Sequence, residues 1–266
     1  MVNPTDRPLA AITGASSGIG YELARQFAEH GYDVVVAAED AGITDLARAL
    51  AASGARVEPV QVDLASYDGV ERLYQRIRSL NRPLDAVAIN AGVGVGGPFA
   101  RTDLAAELNI VDLNVRSAVH LAKRCVQEMV ERGTGGILFT SSIAAAQPGP
   151  FEAVYAASKS FLQSFSQALA NELKDTGVTV TALMPGVTDT RFFERADMLD
   201  TRAGSGRKDD PAEVARQGFE ALAKGRDHVV AGSLVNRLLT GASKITPDQV
   251  KAQLHRRLSE PGSGQG

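Results

Sequence analysis

Short apolar runs alternate along the chain with longer stretches in which apolar positions recur every three to four residues. The runs Leu9–Thr13, Asp33–Ala38, Arg56–Val62, Leu84–Asn90, Gly136–Ser141 and Val178–Met184 read as strands, with His228–Ala231 as a short seventh. They are rich in Val, Ile, Leu and Ala and do not alternate apolar with polar, as expected of strands covered on both faces. Between them, Tyr21–His30, Ile43–Ala52, Tyr67–Leu80, Leu104–Arg132, Phe151–Lys174 and Pro211–Ala223 read as helices. Pro59 cannot donate to a sheet ladder, so the third strand is expected at an edge.

Regular alternation of strand and helix implies right-handed crossovers, and hence an α/β, Rossmann-like, doubly wound parallel sheet with helices on both faces. No repeat and no Pro/Gly/Ser-rich linker divides the chain, so residues 1–258 are expected to form a single domain. The long irregular stretch Thr188–Asp210 reads as a lid over a site, and residues 259–266 read as a disordered tail.

Charge and composition remove several function classes. The 266 residues carry 28 Lys and Arg against 31 Asp and Glu, a net charge of −3, with no basic run and no Trp. A nucleic-acid partner is therefore not expected. The apolar runs fall short of the ~18 residues that span a bilayer, and MVNPTDRPLA lacks the apolar core of a signal peptide. The lone Cys125 cannot form an internal disulfide, which fits a cytoplasmic setting. His30, His120, His228, His255 and Cys125 show no metal-ligand spacing, so no metal is expected.

The segment Thr13-Gly-Ala-Ser-Ser-Gly-Ile-Gly20 lies between the first strand and the first helix. Glycine serves where backbone turns sharply or must approach a phosphate closely. A helix N-terminus there offers unpaired N–H groups and a positive dipole end to a pyrophosphate. The spacing is neither the G-x-G-x-x-G fingerprint nor a Walker A loop, which disfavours a P-loop hydrolase. Its position after the first strand of a βαβ unit points to dinucleotide binding. Tyr155 and Lys159, at i and i+4, share one helix face, where a Lys cation would lower the tyrosine pKa and make it a useful acid and base.

Together these pieces resemble the short-chain dehydrogenase/reductase family, in its short single-domain branch. The glycine loop, Asp63 after the third strand, Asn90-Ala91-Gly92, Asn114, Ser142, Tyr155-Ala-Ala-Ser-Lys159, and Pro185-Gly186 with Thr190 follow one another in that family's order, over about residues 8–230. The resemblance implies an alcohol–carbonyl oxidoreductase using NAD(H) or NADP(H), with Asn114, Ser142, Tyr155 and Lys159 catalytic. Tyr155 would exchange the proton, Ser142 would hold the substrate oxygen, Lys159 would hold the nicotinamide ribose, and Asn114 would support a proton-relaying water. Cofactor contacts are implied for Gly14, Ser16, Ser17, Gly18, Ile19, Gly20, Asp63, Leu64, Asn90, Ala91, Gly92, Tyr155, Lys159, Pro185, Gly186, Thr188 and Thr190.

An acidic residue about 20 positions beyond the glycine loop can grip the 2′-hydroxyl of NAD and repel the 2′-phosphate of NADP. Glu39 stands at that distance, so NAD is favoured. Val93–Phe99, Ile143–Gln147, Phe151 and Val187–Leu199 are the expected pocket walls. Phe192, Phe193, Met198 and Leu199 suggest a small, largely apolar substrate, while Arg191 and Arg195 could meet an anionic group. Two alternatives remain: a carrier-bound 3-oxoacyl reductase, and a non-catalytic dinucleotide-sensing or scaffold protein. The resemblance also implies a homotetramer or homodimer built on the two long helices.

Overall fold

The computed structural model describes residues 7–233 and 247–265. Residues 1–6 and 234–246 of the expected domain and Gly266 of the expected tail lie outside the described residues. Seven parallel strands form one sheet: β1 Leu9–Thr13, β2 Asp33–Ala38, β3 Val57–Gln61, β4 Ala86–Ile89, β5 Gly135–Thr140, β6 Val178–Pro185 and β7 His228–Ala231. Their spatial order is β3-β2-β1-β4-β5-β6-β7. Pro59 falls on β3, an edge strand, where the missing N–H breaks no ladder.

Side chains that alternate along the central strands build two separate cores. Leu9, Ala11, Val35, Val87, Ile137 and Phe139 point to one face. There they meet α3 (Tyr67–Arg78), α5 (Ala118–Arg132) and α6 (Ala153–Glu172). Ala10, Ile12, Val34, Val36 and Leu138 point to the other. They meet α1 (Gly18–Glu29), α2 (Gly42–Ala51) and α9 (Pro211–Ala223). Both faces are thus sealed, which is why the strands read as continuous apolar runs.

Strand order reverses between β1 and β4, and such a switch point opens a crevice at the carboxyl ends of the strands. The long helix expected over Leu104–Arg132 is present but not uniform. Between α4 (Leu104–Ile110) and α5, residues Val111–Ser117 take the wider π-helical turn. Such turns are uncommon and cluster at functional sites.

Two expectations need correction. The stretch after β6 is not irregular throughout: it holds two short helices, α7 (Phe192–Arg195) and α8 (Arg202–Ser205), the second capped by Thr201. The tail after residue 258 is not disordered over its described length. A helix absent from the sequence reading, α10 (Asp248–Ser259), ends on the buried Ser259. Beyond it, Ser263 Oγ accepts from Arg202 N at 3.1 Å, and Gly264 N donates to Asp200 O at 2.8 Å. The glycine serves close approach here, since a Cβ at residue 264 would lie 2.5 Å from Ser205 Oγ.

Candidate active site

The carboxyl ends of β1, β4 and β5 are tied by one side chain. Asn90 Nδ2 donates to Thr13 O at 3.1 Å, and its Oδ1 accepts from Thr140 Oγ1 at 3.0 Å. Thr13 Oγ1 in turn accepts from Asn90 N and Ala91 N at 2.9 and 3.0 Å. The glycine loop lies against this brace. Gly14 has φ +64°, and a Cβ there would come 2.9 Å from Ala91 Cα. A Cβ at Gly20 would stand 2.1 Å from Gly14 O, so the loop closes only with glycine at that position.

The loop ends at the N-terminus of α1. Ser17 caps α1 without a side-chain hydrogen bond, and the first turn holds no acidic residue. The positive end of the helix therefore faces the cleft with its N–H groups free of a side-chain cap, as an anion requires. A dinucleotide's pyrophosphate fits this cradle. Ser16 Oγ donates to Asp40 Oδ2 at 2.6 Å, and Asp40 Oδ1 accepts from Gly42 N at 3.0 Å, fixing the turn after β2. These bonds hold the Asp40 carboxyl below its usual range. Glu39 is exposed on the cleft, and its carboxylate takes no hydrogen bond from a described residue. Asp63, at the rim, accepts from Ala65 N at 2.8 Å.

One cleft brings together every expected cofactor residue along with Ser142, Tyr155 and Lys159. Asn114 is the exception. It is buried in the π-helical turns, off the cleft wall. Its Oδ1 accepts from Val93 N at 2.9 Å, and its Nδ2 donates to Val93 O at 2.9 Å and Ser158 Oγ at 3.0 Å. In this structure Asn114 clamps the loop after β4 to α6.

Ser142 caps a short 3₁₀ turn, its Oγ accepting from Ala144 N at 3.1 Å. Its hydroxyl also interacts with the Tyr155 phenol. Lys159 Nζ donates to Thr140 O at 2.9 Å and lies 5.7 Å from the Tyr155 ring centre. Burial pushes Lys159 down to about 8. The Tyr155 phenol is not lowered by its lysine neighbour as the sequence suggests. Burial first, and the Glu152 carboxylate second, hold it well above its ordinary value, and the Ser142 interaction offsets only part of this.

The substrate end also departs in detail from the sequence reading. Phe192 covers Tyr155, their ring centres 4.9 Å apart, and Phe193 also lines the cleft. Met198 instead packs with Phe193 and Ala196 inside the lid's own small core. Leu199 and Phe99 are 55% and 62% exposed and leave the cleft to others. Glu152, His255 and Ser259 line the cleft and were not anticipated. The i, i+4 spacing of His255 and Ser259 was readable, but their meeting with Glu152 depends on where α10 docks.

Comparison with known proteins follows this geometry. Residues 8–199 match the family model described as short chain dehydrogenase, and the chain belongs to that family. A solved short-chain dehydrogenase from Sphingobium yanoikuyae, in complex with NADPH, superposes with a TM-score of 0.80 at 28% identity. The alignment covers 89% of this chain and 94% of that one. HetN of Nostoc, named a ketoacyl reductase, is 28% identical, over 90% of this chain and 85% of its own length. EphD of Mycobacterium tuberculosis, named "Probable oxidoreductase", is 36% identical over 69% of this chain. EphD is much longer, and the match spans 31% of it. Among the described residues, no helix is long and apolar enough to cross a membrane, and no cluster of His, Cys, Asp and Glu could hold a metal.

The burial of Lys159 has a consequence for stability. In the native protein it loses its proton near pH 8, and in the unfolded chain near about 10.4. Between these values the unfolded state binds more protons, so the unfolding free energy of the cofactor-free protein is expected to rise with pH. Denaturant titrations across that window should show the rise in the wild type and its loss in Lys159→Met. Parallel pH profiles for the two proteins would contradict this.

Proposed function

We propose that the protein is a nicotinamide-dinucleotide-dependent oxidoreductase that interconverts an alcohol and a carbonyl, with Tyr155 moving the proton. The observation that carries this reading is the meeting of Ser142, Tyr155 and Lys159 in the same cleft onto which the glycine loop and the α1 N-terminus open. Gly14 and Ser16 to Gly20 would hold the pyrophosphate. Asp63 and Leu64 would border the adenine, and Asn90 to Gly92 with Pro185, Gly186, Thr188 and Thr190 the remainder. Tyr155 and Lys159 would hold the nicotinamide ribose. When bound, the dinucleotide supplies or takes up the hydride.

The substrate oxygen sits between Ser142 and Tyr155. Ser142 fixes its direction, and Tyr155 donates its proton as a carbonyl is reduced or accepts one as an alcohol is oxidised. The raised pKa keeps the phenol protonated at neutral pH, which suits the donating direction. Lys159, bonded to Thr140 O beneath the tyrosine, places a titrating group where the proton can be replenished. Phe192 over the Tyr155 ring keeps water from this exchange. A carrier-bound 3-oxoacyl substrate is the second reading, supported by the ketoacyl reductase name of HetN. A purely sensing role is disfavoured because Ser142, Tyr155 and Lys159 are all kept and meet in the cleft.

Glu39 supports a preference for NAD: a carboxylate after β2 that takes no hydrogen bond from a described residue can accept from a ribose hydroxyl and repel a phosphate. The lone buried Cys125 supports a cytoplasmic setting. Self-association through the two long helices is supported by exposed apolar side chains there, with Leu104 69%, Leu108 53% and Phe161 39% exposed.

Tyr155→Phe is expected to lower turnover by about 10²–10⁴-fold with a far smaller loss of NADH and NADPH binding, read from cofactor fluorescence, because the phenol is one of many groups that would hold the cofactor. A variant as active as the wild type would refute the proton role, and a folded protein that binds neither cofactor would refute the enzyme reading. Glu39→Arg is expected to move the NADPH-to-NADH affinity ratio at least about tenfold towards NADPH. An unchanged ratio would mean that Glu39 does not read the ribose. Light scattering should report a dimer or tetramer, and a monomer at micromolar concentration would remove the self-association proposal.

A further inference from the structure

The substrate end of the cleft holds a polar cluster that the proposed proton transfer does not use. Glu152, His255 and Ser259 are only 7%, 6% and 2% exposed. Glu152 immediately precedes α6, and His255 and Ser259 lie one turn apart on α10. Ser259 Oγ donates to Glu152 Oε2 at 2.7 Å, and His255 Nε2 bonds the same oxygen at 2.9 Å. On the far side of the ring, Gln147 Nε2 lies 3.0 Å from His255 Nδ1. An amide donor there makes Nδ1 the acceptor and puts the ring proton on Nε2, pointing at Glu152.

Both bonds to Glu152 end on one oxygen. Its Oε1 takes no hydrogen bond from any described residue, although the side chain is more than nine-tenths buried. The oxygen itself is not sealed from solvent, so it is an acceptor that the anchoring of α10 leaves unused at the cleft that Glu152 lines. Glu152 lines the same cleft as Tyr155 and lies three residues before it. Glu152 therefore stands just outside the first turn of α6, on the cleft wall that Tyr155 also lines.

The surrounding backbone is shaped to this placement. Phe151 sits at φ +65°, a conformation that a bulky side chain rarely adopts, with its carbonyl held by Gly97 N at 2.8 Å. A Cβ at Gly149 would lie 2.5 Å from Ala156 Cβ and 3.4 Å from His255 Nε2. Strain on one side of Glu152 and a required glycine beside His255 hold the carboxylate at the cleft wall.

We propose that Glu152, oriented by His255 and Ser259, is a specificity-determining residue whose free oxygen accepts a hydrogen bond from a hydroxyl group on the substrate. The substrate is then a carbonyl compound bearing a second oxygen function away from the reacting carbon, and not a purely apolar ketone. The inference rests on the oxidoreductase reading above and refines its substrate.

The test uses the full chain loaded with whichever of NADH or NADPH it binds. Two matched ketone pairs serve as probes: cyclohexanone with 4-hydroxycyclohexanone, and acetophenone with 4′-hydroxyacetophenone. Binding is read from the fluorescence of the reduced cofactor, and kcat/KM from its oxidation. In at least one pair the hydroxylated ketone is expected to be favoured by about tenfold or more, since a site built to bond a hydroxyl rejects the analogue lacking it. The ratio within the pair is expected to fall to about one in Glu152→Met, and by at least about threefold in the milder Glu152→Gln, which serves should the first not fold. A general loss of stability scales both members of a pair alike and leaves the ratio unmoved. Equal efficiency within both pairs, a preference that survives both Glu152 variants, or a cofactor-loaded protein that takes none of the four ketones would each overturn the inference. Failure to bind either cofactor would instead overturn the oxidoreductase reading beneath it.

Discussion

The hydrogen bonds of Asn90 to Thr13 and Thr140 are the constraint on which the rest of the site depends. They lock together three strand ends at the point where the sheet changes its winding direction. The glycine loop rests on one side of this brace, close enough that a Cβ at Gly20 would reach 2.5 Å from Asn90 Nδ2. On the other side, Lys159 hangs from the carbonyl of Thr140. The proposed dinucleotide cradle and proton-transfer group therefore share one rigid reference, and the distance between them is set by sheet geometry and not by a mobile loop. The precision that hydride and proton transfer demand follows from building on strand ends.

Burial decides the electrostatics of this centre. A lysine one turn from a tyrosine would be expected to favour the phenolate, yet Tyr155 is shifted the other way and Lys159 falls to about 8. Desolvation disfavours both charged forms, and a lysine that is itself partly discharged loses its hold on its neighbour. The Glu152 carboxylate works in the same sense on Tyr155. The centre is poised as a neutral acid, which any cation entering the cleft would bias towards ionisation.

The substrate end is assembled from parts remote in sequence. The lid brings Phe192 over Tyr155, and α10 closes another wall with His255 and Ser259. The described end of the chain in turn straps the lid, through Ser263 to Arg202 and Gly264 to Asp200. The segment after β6 and the C-terminal helix thus support each other.

By itself the sequence determined the sheet, its parallel sense, the edge position of the Pro59 strand, and the glycine turn proposed as the cofactor cradle. Each of these rests on local rules: continuous apolar runs, strand–helix alternation, and glycines where backbone must pass backbone. It also placed Tyr155 and Lys159 on one helix face, because a spacing of four fixes that without tertiary information. Only the tertiary structure decided what those side chains meet. It moved Asn114 off the cleft wall, buried Met198 in the lid and left Leu199 in solvent, although all three lie in segments the sequence singled out. It set Glu152 against His255 and Ser259 across more than a hundred residues, and it ordered a Gly/Ser-rich tail whose composition reads as disorder. Contacts between distant segments, and the desolvation they impose, depend on how helices dock, and no local spacing encodes that.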